Sequence, residues 1–398
     1  MKYFVLLPDG AADYKVPELD NRTPLMAANI PTIDMLASKS LCGTVSNVPE
    51  GMVPESDTAN LAVLSYDPKE YSKGRSPLEA LSMGLTMRED QTAVRCNVVT
   101  LEGDGNYEDL IITDHSADEI TTEEADALIK TIDEKLGDQY MSFYTGVSYR
   151  HCLLWKDMPA HPEFMRPHDI LGKRIGDYLP PKPFRNLMEL SWEILKNHPI
   201  NLARIERGLR PANSIWLWSP GKKPALPLFK DKWGLNGVMI SAVDLMKGIG
   251  ICAGMKSIDV EGATGNVKTN FTGKADAAIN AFKDGADFVY VHVEAPDECG
   301  HRAEIENKVK SMELIDEKIL KPVYEYLKST GEDYGIMLLP DHPTPLCMRT
   351  HAMDPVPFMI YLSNDEKNGV SEFNEDTCKA AGLYLDHGYD LLSHMIKK

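Results

Sequence analysis

A chain of 398 residues with a formal charge of −18 and 43% hydrophobic residues exceeds what one core usually serves, so one large domain with an insertion, or two ordinary domains, is expected. Its acidity disfavours non-specific binding to nucleic acid or anionic membranes, which need a basic footprint, but excludes no small ligand. No run approaches about 18 uninterrupted apolar residues, which excludes a spanning helix, and seven scattered cysteines with no C-x-x-C spacing suit free thiols in a reducing, cytoplasmic setting.

In chain order, "YFVLL" (3–7) reads as a buried strand running into Asp9, and the Pro-Asp-Gly break behind it argues against a signal peptide. In "VPESDTANLAVLSYDP" (53–68), Ser56 stands before the apolar series Ala59, Leu61, Ala62 and Leu64, which places it at a helix N-terminus. Unpaired N–H groups there favour negative charge, an alkoxide or a phosphoryl group, and simple capping by serine is the plainer alternative. A different texture follows. All five tryptophans (Trp155, Trp192, Trp216, Trp218, Trp233) fall in the middle, with strand candidates at 92–101 and 148–155 and a helix opened by a capping box at Thr121 and Glu124. Proline clusters at 180–183 and 220–227 mark loops. These features predict an inserted smaller α+β domain over 88–236, splitting a core made of 1–87 and 237–398, with hinges near 85 and 237.

Beyond the insertion, "VMIS" (238–241), "DFVYVHV" (287–293) and "GIMLL" (335–339) read as strands of a covered, largely parallel sheet between helices, hence an α/β fold. Between the last two, Ile305, Val309, Met312, Ile315, Ile319 and Val323 recur at helical spacing, with a bend expected near Pro322. "GIGICAG" (248–254) formally contains a dinucleotide fingerprint, but Lys247 and "AVDLM" separate it from its strand, and such glycines belong in the turn directly after the strand. No Walker-type phosphate loop occurs.

Three candidate strands run into a carboxylate: Asp9, Asp297 and Asp341. Parallel strands would deliver all three to one edge of the sheet, where open α/β sheets bind ligands. Asp297 and His301 stand four apart, with Gly300 allowing a close fold; His342 adjoins Asp341, and His351 follows in "MRTHAMDP". Mixed Asp and His donors suit Mn²⁺ or Zn²⁺ better than Ca²⁺. Singly, each of these residues reads as an ordinary cap or surface group; together they suggest a site for two ions. A cation near Ser56 would activate its hydroxyl as a nucleophile.

The ordered motifs "LLPDG", "ESDTANLAVLSYDP", "KGRSPLEA", "YRH", "PHDI", "VDLMKGIG", "EAPDECGH", "PDHPTP" and "THAMDPVPF" resemble the cofactor-independent phosphoglycerate mutases of archaeal type, in the alkaline phosphatase superfamily. The resemblance covers nearly the whole chain, and it implies an alkaline-phosphatase-like core with two divalent ions and an inserted substrate-binding domain. It assigns Asp297, His301 and His351 to one ion, and Asp9, Asp341, His342 and the Ser56 hydroxyl to the other. The ions are manganese by this resemblance, with Zn²⁺, Mg²⁺ or Co²⁺ as alternatives, and no 2,3-bisphosphoglycerate is needed. Ser56 becomes phosphoserine, and Asp57 is a weaker candidate for orienting substrate. His115, Arg150, Asp169 and Lys247 correspond to groups that grip phosphate, carboxylate or hydroxyls.

The implied reaction exchanges 3-phosphoglycerate and 2-phosphoglycerate with a small phosphorylated substrate as sole partner, no nucleic acid and no membrane, and leaves a homo-oligomer open. Such chemistry must gain roughly 20 kcal/mol of transition-state stabilisation, and bound cations explain how so acidic a chain holds a trianion. Glu55 departs from the glycine of many relatives before the Ser-Asp pair, which adds negative charge near the phosphoryl position. The sequence also resembles a bacterial subgroup proposed as homoserine kinases. A homoserine kinase, a phosphatase or sulfatase of the same superfamily, and a non-catalytic binding protein are therefore the rival expectations.

Overall fold

A computed structural model describes residues 1–160 and 164–396. By internal contacts the chain divides into Met1–Ser72 with Ala225–Lys398, and Lys73–Pro224. Among the described residues, eight strands of the first unit form one sheet, in the order Tyr384–Leu385, Leu41–Val45, Val356–Leu362, Tyr334–Leu338, Lys2–Pro8, Phe288–Val293, Gly237–Ile240 and Lys256–Ile258. Only Val356–Leu362 runs against its neighbours; the other pairings are parallel.

This is the expected α/β core, and its register decides the site. Lys2–Pro8 lies between Phe288–Val293 and Tyr334–Leu338, with Pro8 opposite Val293 and Leu6 opposite Leu338. The three strands that run into carboxylates are thus adjacent and point the same way. Their apolar side chains account for the placement: Phe4, Leu6, Val289, Val291, Val293, Ile336 and Leu338 are fully buried in one core.

The long helical segment after the Asp297 turn, between the second and third of these strands in sequence, is continuous but not uniform. Ile305–Ile315 and Lys321–Ser329 are α-helical, and Asp316–Leu320 forms a π-helical turn in which the Lys321 N–H reaches back to the Asp316 carbonyl. Pro322 has no N–H to offer Lys318, and the turn before it widens at the place where a bend is expected. Met312, Ile315, Ile319 and Val323 are fully enclosed as their spacing predicts, whereas Ile305 and Val309 are half-buried and Lys308 and Ser311 are buried instead.

In the second unit Gln91–Glu102 pairs antiparallel with Arg150–Lys156 and with Ser214–Lys222, and past a register shift at Thr100 with Ile111–Asp114; Met141–Val147 pairs with Arg150–Lys156. Thr121 caps the helix Thr122–Leu136 by accepting the Glu124 N–H. The unit begins at Lys73 rather than at 88 because the helix Ser76–Ser82 belongs to its packing. Ala80 and Met87 share an apolar cluster with Ala93, Cys152 and Leu154, and Glu79 forms an ion pair with Arg95. "GIGICAG" falls within and just after the helix Asp244–Cys252, not in a turn following a strand. Among the described residues no helix is long and apolar enough to cross a membrane.

Candidate active site

Three turns at the carboxyl ends of adjacent strands build the centre. Gly10 follows Asp9 with φ +61°, and a Cβ there would stand 2.6 Å from both Asp297 Oδ1 and Thr344 Oγ1, so glycine is what lets the first turn approach the other two. Gly300 plays the same part on the helix Ala295–Arg302, where a Cβ would collide with the Thr344 carbonyl. The Asp341 carboxylate is pinned by backbone N–H groups of Gly10 (3.1 Å) and His342 (2.9 Å) and by Asn60 Nδ2 (2.9 Å).

Ser56 is the first residue of the helix Ser56–Val63, while Glu55 holds the cap position with extended backbone. Ser56 is therefore not the capping residue. Its hydroxyl lies 3.3 Å from His342 Nε2, and Asn60 Nδ2 donates back to the Ser56 carbonyl at 2.8 Å. Asp57 is buried in the same first turn.

Asp297, His301 and His351 bring a donor atom each to within 4.8 Å of one another, as do Asp9, Asp297 and His342, and Asp9, His292 and Asp341. Six of the seven residues expected around two ions thus lie in these groups, and Ser56 joins them through its contact with His342. The imidazoles are oriented from behind: His301 Nδ1 faces the Arg349 carbonyl at 3.0 Å and His351 Nδ1 the Pro54 carbonyl at 2.6 Å. Carbonyls only accept, so each Nδ1 carries a proton, and in its neutral form each ring keeps its lone pair at Nε2. Those Nε2 atoms stand 3.1 Å apart, beside Asp297 at 3.2 and 3.5 Å. Two lone pairs and a carboxylate directed at one point fit a cation.

Without an ion, the same point draws protons. Hydrogen bonding to Asp297 raises His301 to about 9, and His351 is also raised, its contact with Asp297 outweighing the opposing effect of burial. Burial would lift Asp297, yet its bonds to His301 and His351 hold it well below the usual carboxylate range. Burial, and then the neighbouring Asp341 and Asp297 carboxylates, push Asp9 well up. Asp9 Oδ1 is enclosed and has no hydrogen-bond partner. An orphaned buried oxygen among three carboxylates is a position that wants positive charge, and the donor set fits divalent ions.

Of the expected substrate-gripping residues, three lie together in the second unit. The His115 ring stands edge-on to Tyr149 (5.6 Å) and to His168 (6.2 Å), Arg150 lies 5.5 Å from the Tyr149 ring, and Asp169 is 3.7 Å from His168. Arg150 and Asp169 are exposed. Lys247 belongs to the first unit, on the helix Asp244–Cys252, paired with Asp259 at 2.6 Å.

Sequence reasoning missed four buried residues that touch this centre. Asn60 Oδ1 accepts a hydrogen bond from Tyr290 Oη at 2.6 Å, His292 Nε2 lies 3.0 Å from Asp9 Oδ2, and Thr344 Oγ1 donates to Asp297 at 2.5 Å. Burial pushes His292 down to about 3, so its imidazole is neutral. A signal for two of them was present: in "FVYVHV" the valines alternate with Phe288, Tyr290 and His292, so the polar groups share the face opposite the core.

Comparison with known proteins bears on all of this. The family description of 2,3-bisphosphoglycerate-independent phosphoglycerate mutase matches residues 37–201. The enzyme of that name from Methanosarcina barkeri is 45% identical, with both chains covered in full. The solved structure of the cofactor-independent phosphoglycerate mutase from Thermoplasma acidophilum superposes with a TM-score of 0.71 at 27% identity, over 100% of this chain and 99% of that one. The PH0037 protein from Pyrococcus horikoshii gives 0.80 at 28%, over 99% and 96%. With identity at this level maintained from end to end, the chain belongs to the family of 2,3-bisphosphoglycerate-independent phosphoglycerate mutases.

Proposed function

We propose that this chain interconverts 3-phosphoglycerate and 2-phosphoglycerate through a phosphoserine at Ser56, using two divalent cations, manganese by preference, and no bisphosphoglycerate. The observation that carries the reading is the Ser56 hydroxyl at a helix N-terminus, 3.3 Å from His342 and beside two Asp/His donor groups, in a member of the mutase family. Asp297, His301 and His351 would hold one ion; Asp9, Asp341, His342 and the Ser56 hydroxyl the other. When bound, the ions supply positive charge to the attacking, transferring and leaving oxygens.

The chain's own residues do the rest. Ser56 Oγ forms a bond to phosphorus as the bond from phosphorus to the substrate's 3-oxygen breaks, and the serine proton ends on that oxygen to give glycerate. In the return step the 2-hydroxyl of glycerate forms its bond to phosphorus, the Oγ–phosphorus bond breaks, and the proton of that hydroxyl restores serine. The N–H ends of the first helical turn favour the phosphoryl oxygens, and the Asn60 bond to the Ser56 carbonyl keeps that turn in place. His115, Arg150, Asp169 and Lys247 are the groups that would grip the carboxylate, phosphate and hydroxyls of the substrate. Water must be kept from the phosphoserine, or transfer becomes hydrolysis. Six of the seven cysteines are buried and all are free, which supports a reducing, cytoplasmic setting.

The test is ³¹P NMR of the purified protein with Mn²⁺ and 3-phosphoglycerate, in parallel with ATP and homoserine. The expected product is 2-phosphoglycerate without free phosphate, and Ser56→Ala should lose at least about a thousandfold in rate, as loss of a covalent nucleophile does. Phosphohomoserine as the product, or phosphate release in place of exchange, would replace the mutase reading.

A further inference from the structure

We infer that His292 is a positioning residue and not a ligand: it donates from Nε2 to Oδ2 of Asp9 and thereby presents the other carboxylate oxygen, Oδ1, to the cation. The inference rests on the two-cation reading above and goes beyond it, because proximity alone would count His292 as a donor in the group with Asp9 and Asp341.

Which ring nitrogen of His292 carries the proton decides its role. His292 is the penultimate residue of the strand Phe288–Val293 and is fully buried. Its Nδ1 lies 3.2 Å from Ser241 Oγ, and its Nε2 lies 3.0 Å from Asp9 Oδ2. The Val243 backbone N–H already donates to Ser241 Oγ at 2.9 Å. Among the described residues, the acceptor within reach of the remaining serine proton is Nδ1 of His292. A neutral imidazole that accepts at Nδ1 must donate from Nε2. The chain of donation therefore runs from Val243 through Ser241 and His292 to Asp9.

His301 and His351 provide the contrast. Their Nδ1 atoms face backbone carbonyls, partners that compel a proton at Nδ1 and free Nε2 for an ion. His292 faces a hydroxyl at Nδ1, which can donate to it, and a carboxylate at Nε2, which accepts, so its proton belongs on the opposite nitrogen. Lys274, itself buried, donates from Nζ to the His292 carbonyl at 2.8 Å and fixes the end of the strand. With Oδ2 of Asp9 committed to His292, Oδ1 is the oxygen left without a hydrogen-bond partner, 3.6 Å from His342 Nε2. Groups that orient a ligating side chain from behind are commonly worth about 10- to 100-fold in metal affinity.

The experiment titrates Mn²⁺ calorimetrically into the full-length, metal-stripped protein and its variants, with circular dichroism as the check on folding. His292→Leu should weaken one of two Mn²⁺ sites by about 10- to 100-fold. His292→Gln, whose amide nitrogen can replace Nε2 as donor, should recover most of that loss. Ser241→Ala, which touches no donor atom of the site, should weaken the same site by a smaller factor. Independently of any ion, long-range ¹H–¹⁵N correlation of histidine-labelled wild-type protein should give the Nε2–H tautomer for the signals that His292→Gln removes. An Nδ1–H tautomer, or a His292→Leu protein that binds both ions as tightly as wild type, would overturn the inference alone. Wild-type protein that takes up no Mn²⁺ would sink the two-cation reading and this inference with it.

Discussion

Replacing Asp9 by Asn should stabilise the metal-free protein while removing most of its response to metal. Donor atoms of Asp9 and Asp341 lie within 4.8 Å, and two unit charges at that distance repel by about 3 kcal/mol at an effective dielectric constant of about 20. Part of this is relieved in the wild type because burial and its neighbours push Asp9 up and favour its protonated form, so the net gain should be about 1–3 kcal/mol. Asparagine keeps a carbonyl oxygen for His292 and offers its amide to Asp341, turning repulsion into a hydrogen bond. At roughly 2 to 4 °C per kcal/mol for domains of about 200 residues, the metal-free melting temperature should rise by about 3 to 10 °C. Wild-type protein should gain about 2.7 kcal/mol from Mn²⁺ at about 100 times its Kd, and the variant should lose most of that. Scanning calorimetry of chelator-treated samples, with and without added Mn²⁺, measures both effects. A variant that melts lower than wild type without metal, or that gains as much from Mn²⁺, would show that Asp9 is a structural cap and refute the reasoning.

Lys308→Met should cost about 3–5 kcal/mol in urea unfolding, because it leaves Asp13 charged and enclosed in a pair whose side chains are 0% and 1% exposed, and breaking a buried pair from one side carries that cost; Lys308→Met with Asp13→Asn should recover part of it. Burial raises Glu375 to about 7 from 4.5, so the folded state holds this proton more tightly than the unfolded chain does; the resulting stability is complete below about pH 4.5 and disappears as pH rises through 7. At about 1.4 kcal/mol per pH unit, Glu375→Gln should therefore gain up to about 3 kcal/mol on wild type between pH 5 and 8, read as the difference of two denaturation series, and a constant difference would contradict the assignment.

Much of the architecture was legible because it depends on local pattern. Short β-rich runs ending in turn residues marked the strands at 3–7, 238–241, 287–293 and 335–339, and each forms within a residue or two of its expected ends. A carboxylate just past a strand is likewise a local feature, and parallel pairing then brings Asp9, Asp297 and Asp341 to one edge. The start of the inserted unit was less legible. The helix Ser76–Ser82 packs with that unit through Ala80 and the Glu79–Arg95 pair, and nothing within the helix itself says which sheet it will join.

The sequence by itself determined the alternation of strands and helices, the chemistry of the acidic and imidazole side chains, and the position of Ser56 at a helix start, because apolar period and turn chemistry act over a few residues. Only the tertiary structure decided that Lys308 is a buried counter-ion and not a solvated helix charge, that His292 backs Asp9, and that Asn60 ties Ser56 to Asp341. Each depends on strand register between segments some 230 to 300 positions apart, and register is set by the packing of the whole core, which no local stretch of chain encodes.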